Sequence, residues 1–293
     1  MNWDRLRIFY WVAKFGSFSR AAKALKTSQP ALSHQISHLE DELENDLFVR
    51  VSQGIKLTQK GEELFFSIRD VFLEIDTAIQ RVKEDESETE GTLRISASQG
   101  FISNYLSPKI PLFIEKYPKL RLSIAASDFD LDPANGDLDV VIRPKLKGRA
   151  DLIQHPIMTM HLRLYASRDY IQKYGLPQKI SDLNKHRLIA HGEFQSHPYA
   201  DLDWHLKVGM PEGESRKPFL TLNGPIGRTQ LAEDGVGIIL IPNKHPAIRN
   251  SKLVNILPKE RGPKIDLFCI YPKRLKKLKK IVAFSQFIQE VYQ

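Results

Sequence analysis

Gln29 and Gln35 stand six positions apart, with Ser33 and His34 between them and His38 just beyond. A carboxamide both donates and accepts, so it can meet the edge of a base pair in a major groove, and a serine hydroxyl is short enough to bond a base or a phosphate. Pro30 and Ala31 offer the small apolar surface that contacts a thymine methyl. Ser17, Ser19 and Arg20 upstream, and Arg50 and Lys56 downstream, are residue types that hold backbone phosphates, contacts that position a protein without specifying sequence. His34 and His38 either share in this recognition or simply cover solvent.

Such groups need a scaffold, and the same segment supplies one. Ser28 reads as an N-cap, and Pro30 falls in the first helical turn, where a missing N–H costs nothing. Leu32, Ile36, Leu39 and Leu43 recur at steps of four, three and four, one apolar stripe against a core. Ala21, Ala22, Ala24 and Leu25 give the preceding helix small side chains that permit a close crossing. A short helix crossing a longer one with a polar outer face is helix-turn-helix geometry; the plainer alternative is an ordinary helical hairpin. A first helix from Trp3 to Phe15, carrying Trp3, Phe9, Tyr10, Trp11 and Phe15, is expected to supply the core. The stretch from Phe48 to Leu57, turning at Ser52-Gln53-Gly54, predicts a β-hairpin wing.

One long helix is predicted from Gln59 to Lys83. Leu64, Ile68, Val71, Ile75, Ala78 and Val82 form a heptad seam, and Phe65, Phe72 and Ile79 widen it. A seam on a helix of ~37 Å, at ~1.5 Å per residue, requires another helix against it. The candidates are the chain's own domains and a second subunit, and its length and place favour dimerisation. Residues 84–90, EDESETE, hold five carboxylates and with Gly91 predict a solvated hinge. Strands at 93–97, 120–126 and 139–142 alternate with a helix from about Asn104 to Tyr117. A second unit runs from near Tyr165 to about Lys264, where GVGI at 235–238 reads as a tight turn entering a buried strand. This alternation predicts a largely parallel α/β sheet.

The words FSRAAKALKTSQPALSHQISHLEDEL (18–43), LFVR (47–50), LTQKGEEL (57–64), LRIS (93–96), PKIPLFIEKYP (108–118), GDLDVVIR (136–143) and LAEDGVGIILIP (231–242) occur in one order along the chain. In order and spacing the chain resembles the LysR-type transcriptional regulators of bacteria over nearly its whole length. The resemblance implies a winged helix-turn-helix DNA-binding domain (1–58), a linker and dimerisation helix with hinge (59–90) and an effector-binding domain (91–293). The last resembles periplasmic binding proteins, with lobe one at 91–164 and 265–293, lobe two at 165–264, and crossovers near Leu164 and Ile265. Implied partners are double-stranded DNA, further copies of the chain (a dimer, in this family usually a tetramer) and a small-molecule effector, with RNA polymerase admitted as another. Family members often carry arginine where this chain has His34. The stretch 164–189 looks like a widespread subgroup whose effectors are mostly unassigned.

In such an architecture ligands bind between lobes or beyond the carboxyl ends of strands. Four segments meet that description: Ser98-Gln99-Gly100 with Ser103, and Ser127-Asp128, in lobe one, and His191–Phe194 and Asn223-Gly224-Pro225 in lobe two. Their hydroxyls, amides and helix starts suit a small carboxylate. Asp128 and Asp130, if they face the cleft, favour a zwitterion or a polar neutral ligand instead.

Charge and composition add limits. The net charge of +8 suits a polyanionic partner, yet residues 1–62 carry nine Lys/Arg against seven Asp/Glu. Much of the excess lies in KRLKKLKK (273–280), which reads as a solvated helix face or as non-specific attraction to DNA. The single cysteine, Cys269, excludes an intrachain disulfide and a cysteine-based zinc site. No apolar run reaches the ~18–20 residues of a membrane span and MNWDRLRIFYWV lacks a signal peptide's pattern, so the expected location is the bacterial cytoplasm. HGEFQSH (191–197) lacks the HExxH order, and GxSxG, Walker and helix-opening GxGxxG motifs are absent. No catalytic or metal-ligating residue and no cofactor is expected; a ligand-independent architectural DNA binder is the alternative to an effector-responsive regulator.

Overall fold

The computed structural model describes residues 2–51, 54–83, 89–128, 132–192, 199, 201–250 and 253–292. The chain divides into two compact units, Met1–Lys83 and Glu84–Gln293, so the long helix groups with the N-terminal unit.

In the N-terminal unit, α1 (Trp3–Phe15), α2 (Phe18–Leu25) and α3 (Gln29–Leu43) precede a hairpin of β1 (Phe48–Val51) and β2 (Gly54–Leu57) and the helix α4 (Gln59–Lys83). Ser17 and Ser28 cap α2 and α3 by accepting from the amides of Arg20 and Ala31. Leu32, Ile36 and Leu39 are buried against Phe9, Tyr10 and Ala21, as the stripe requires. Glu40, in the acidic half of α3, turns inward: its Oε1 accepts from the amides of Leu47 (2.8 Å) and Phe48 (3.1 Å) and so fixes the entry to the hairpin. Gly61 is forced by space, because a Cβ there would lie 2.1 Å from the Leu47 carbonyl oxygen.

Two expectations change here. Trp3 is not core: it is 48% exposed and stacks on Phe72 at 4.8 Å. Phe65 and Phe72 do not widen an outward seam either, for Tyr10 stacks on both, at 5.7 and 5.0 Å, and fastens α4 to α1. Leu64 and Ile68 are half-buried on the same core. Farther along, Val71, Ile75, Ile79 and Val82 are 46, 39, 47 and 87% exposed, and Ala78 is exposed beside them. The wing turn at Ser52-Gln53 and hinge residues 84–88 lie outside the described residues.

In the C-terminal unit β3 (Gly91–Ala97) leads into helical backbone at 99–116: α5 (Gln99–Phe101), a π turn, a 3-10 turn and α6 (Ile110–Lys116). This begins five residues before the expected Asn104, because Ser98 caps it by accepting from the Phe101 amide. Then come β4 (Leu120–Ala126), β5 (Val140–Arg143) and the 16-residue β6 (Leu152–Ser167). Lobe two holds α7 (Arg168–Tyr174), β7 (Ile189–Ala190), α8 (Trp204–Lys207), β8 (Leu220–Thr221), α9 (Pro225–Glu233), β9 (Ile239–Pro242), α10 (Ala247–Asn250) and β10 (Leu253–Ile256). The chain returns through β11 (Lys264–Pro272) to α11 (Lys279–Tyr292).

The sheet is mixed, not largely parallel. In the seven-stranded sheet β3 runs parallel to β4 and β5, while β11 is antiparallel to β5 and β6, and β9 and β10 are antiparallel to β6; a separate pair, β7 and β8, is parallel. The reason is the long β6, which pairs with β11 through His161 and with β9 from Leu162 onward. One strand thus serves both lobes, its partner changing from β11 to β9 between His161 and Leu162. The basic run 273–280 is not all solvated: Lys280 is buried, its Nζ bonding Asp139 Oδ2 at 2.9 Å and the Thr92 carbonyl at 2.8 Å. Leu275 and Leu278 of that run are buried as well.

Candidate functional site

A surface concavity opens where the start of α2, the start of α3 and the hairpin meet, lined by Ser17, Ser19, Gln29, Ser33, Arg50 and Gly54. Five of the residues expected to meet DNA therefore converge. Ser28, Pro30, Ala31 and His34 follow on the exposed side of α3, and Arg20 and Lys56 are exposed on α2 and β2. Ser17 and Ser28 spend their hydroxyls on helix caps, and Ser19 donates to Gln29 Oε1 at 2.8 Å. His34 and His38 meet edge to face with ring centres 4.4 Å apart. Gln35 is only half exposed, and Arg5 of α1 donates from Nε to its Oε1 at 3.3 Å while Nη1 reaches Glu42 at 3.2 Å. The guanidinium only donates, so the Gln35 carbonyl must face it and the NH2 is the end directed away from Arg5.

The second site is a cleft between the lobes of the C-terminal unit, enclosing about 690 Å³ including its mouth. Lobe one contributes Ser98, Gly100, Asn104 and Asp128; lobe two contributes Asn223, Pro225, Arg228 and Thr229. Met160, Leu162 and Ile265, from the strands joining the lobes, and Leu240 give it an apolar floor. Tyr199 bridges it, its hydroxyl 2.7 Å from Ser98 Oγ, and Asp128 Oδ1 accepts from the Gln99 amide at 3.3 Å. Arg228 Nε is fully buried and meets no hydrogen-bond partner. His245, also lining the cleft, accepts at Nδ1 from the Ala247 amide, and burial pushes its pKa down to about 4.

Of the residues expected around an effector, Ser98, Gly100, Asp128, Asn223 and Pro225 line this cleft. Gln99, Ser103, Ser127, His191 and Gly224 do not. The Ser127 amide is spent on the Ala97 carbonyl. His191 is buried, its amide bonded to Asp203 Oδ1 at 2.7 Å and its Nδ1 2.9 Å from the Gly192 oxygen. Phe194 and Asp130 lie outside the described residues.

Two family models cover this arrangement. The one described as bacterial regulatory helix-turn-helix protein, lysR family, matches residues 3–62, and the LysR substrate binding domain matches residues 86–293. The chain belongs to the LysR family. It is similar to the HTH-type transcriptional regulator YhjC of Escherichia coli strain K12, with 27% identity over 98% of this chain and 96% of that one. The HTH-type transcriptional activator AaeR of the same strain is 27% identical over 92% of this chain and 87% of its own. Among solved structures, the full-length LysG from Corynebacterium glutamicum with bound effector Arg superimposes with a TM-score of 0.68 at 18% identity, covering 100% of this chain and 98% of that one. A LysR-family protein is a DNA-binding transcriptional regulator with a domain for an effector, and this family is one of regulators rather than of enzymes.

Sequence reasoning missed several residues of this LysR-family chain's sites. Arg5 gave no signal, because it lies outside the helix-turn-helix. Arg228 and Thr229 were within reach: they sit three and four residues after Pro225, one helical turn along the same face of α9. Asn104 stands in the same relation to Gly100, whose carbonyl it bonds at 3.0 Å.

Proposed function

We propose that the chain reads operator DNA as a dimer and that a small molecule between its lobes sets its activity. The convergence of Ser17, Ser19, Gln29, Ser33 and Arg50 in one concavity supports the first part. In this reading the outer face of α3 enters the major groove, and Arg20, Arg50 and Lys56 hold phosphates. Gln35, its carbonyl occupied by Arg5, offers its NH2 to a base-edge acceptor. The exposed Val71, Ile75, Ala78 and Val82 of α4 are the surface for a second copy, and Ile75→Glu is expected to shift sedimentation from dimer to monomer.

The chain acts by binding, not catalysis. Ligand closes or opens the lobes, and linked subunits turn that into a changed bend or spacing at the operator. LysG, which shares the fold and is described with bound effector Arg, is a precedent for an effector-bound member. Nuclease protection upstream of the protein's own gene tests the DNA reading. The expected footprint is two half-sites about one helical turn (~34 Å) apart, lost in Gln35→Ala. Equal protection by the variant, or protection without two-fold spacing, removes sequence-specific reading by α3.

A further inference from the structure

A second depression, about 840 Å³ including its mouth, lies outside the inter-lobe cleft, where α11 and the helical backbone after β3 meet the turn that follows β9. Tyr105, Met158 and Tyr292 of lobe one give it ring and thioether walls. Two lysines line it, Lys109 from lobe one and Lys244 from lobe two. Elsewhere in this unit Lys116, Lys264 and Lys280 pair with Glu290, Asp266 and Asp139. Among the described residues no carboxylate lines the depression, and neither Lys109 nor Lys244 has an ion-pair partner. Lys109 is half-buried, so its charge has lost part of its water without gaining a counter-charge.

Proline steadies both lysines. Lys109 stands between Pro108 and Pro111, and Lys244 between Pro242 and Pro246, in a turn closed by the His245 amide on the Pro242 carbonyl at 3.0 Å. Fixed φ angles leave that backbone less freedom to lose when a ligand is held. An amine would meet two like charges here, and an inorganic anion would make no use of the rings. We propose that the depression is a second small-molecule site, for an organic anion with a flat apolar body. The anionic group lies between Lys109 and Lys244, and the body lies on Tyr105, Met158 and Tyr292. Because one lysine comes from each lobe, the bound anion favours the arrangement of lobes that brings both to it. The site is separate from the effector proposed between the lobes, although Asn104 and Tyr105 line both.

The chain contains a reporter for each site. Met158 lines the depression, whereas Met160, two residues on along β6, lines the inter-lobe cleft. With the full chain labelled at methionine methyls, 3-phenylpropanoate, 3-phenylpropan-1-ol and 3-phenylpropylamine are titrated at constant ionic strength. They carry one body with a negative, no and a positive charge, and sodium sulfate supplies charge without the body. 3-Phenylpropanoate is expected to shift the Met158 methyl saturably, with the other three about tenfold or more weaker. Lys109→Met and Lys244→Met should each weaken it by a similar factor while the melting temperature of the free protein holds, since neither lysine has an ion pair to lose. If the alcohol binds as tightly as the carboxylate, or both variants bind like the parent, the pairing with lysine falls. If sulfate matches the carboxylate, the depression holds an adventitious ion only. A carboxylate that shifts Met160 and leaves Met158 unmoved belongs to the inter-lobe cleft and overturns the second site without touching the first. No saturable shift of Met158 at millimolar concentration overturns it as well.

Discussion

The two units of this LysR-family chain treat charge in opposite ways. Among the described residues, the buried Lys, Arg, His and Asp side chains all lie in the C-terminal unit: Asp139, Arg143, His191, His205, Arg216, His245 and Lys280. The N-terminal unit packs a core of leucine, isoleucine, alanine and aromatic rings, and its described Lys, Arg, His, Asp and Glu side chains are exposed or, like Glu40, half-buried. A surface that meets a polyanion gains from solvated charge and adjusts to salt. Of the buried groups only His245 lines the inter-lobe cleft; the others sit within the fold of the C-terminal unit, where a charge that loses its partner is expensive. The contrast predicts that the same kind of substitution has large effects in one unit and small ones in the other.

The largest effect is expected at Lys280. Replacing it by Met leaves the Asp139 carboxylate buried with only the Arg94 amide and costs about 3–5 kcal/mol of the C-terminal unit's stability in denaturant unfolding. Pairing it with Asp139→Asn should return part of that loss. A cost below ~1 kcal/mol would put the pair in the class of surface ion pairs and remove the contrast.

Acid sharpens the comparison next. Burial pushes the pKa of His205 and His245 down, the latter to about 4, while the unfolded chain binds protons near the ordinary value of 6.5. The unfolded state therefore holds more protons between those values, so stability is full above pH 6.5 and falls as pH drops toward 4. Each group contributes up to about 1.4 kcal/mol per pH unit in that window. Calorimetry should show the transition of the C-terminal unit moving down as pH falls from 6.5, with His245→Gln flattening its slope. A pH-independent transition would mean that these rings take up protons without opening the fold.

The same contrast decides what was legible in the sequence. On α3 the site is the complement of the buried stripe, so Leu32, Ile36 and Leu39 locate the outward residues by period alone. In the cleft, Ser98, Asp128 and Asn223 were recognisable as residues following strands. Met160, Leu162 and Ile265 were not, because they sit where β6 and β11 pass from one lobe to the other, and local pattern does not report strand direction. The same blindness turned a mixed sheet into an expected parallel one. Lys280 was hidden in a charge run, since its partner Asp139 lies 141 residues away. Phe65 and Phe72 share a heptad period with a seam yet face α1, because seven-residue spacing fixes a common face and not what covers it.

A moderate effect belongs to the DNA-reading face. Gln35→Ala should weaken specific operator binding by about 1–3 kcal/mol in competition assays, with non-specific binding unchanged.

The smallest predicted change is the most diagnostic. Arg5→Ala removes a partly exposed ion pair with Glu42, so stability should move by less than ~1 kcal/mol. It also releases the Gln35 carbonyl, which Arg5 now holds, and a freed carboxamide can rotate to donate and accept together, as adenine requires. Total affinity should therefore change little while discrimination at the base pair read by Gln35 relaxes. Competition with operators substituted at that pair, in Arg5→Ala, Gln35→Ala and the double variant, separates the outcomes. If Arg5 acts by orienting Gln35, its substitution has no further effect on discrimination once Gln35 is gone. If the two effects add, Arg5 touches the DNA independently, and the NH2 of Gln35 is not what sets the preference.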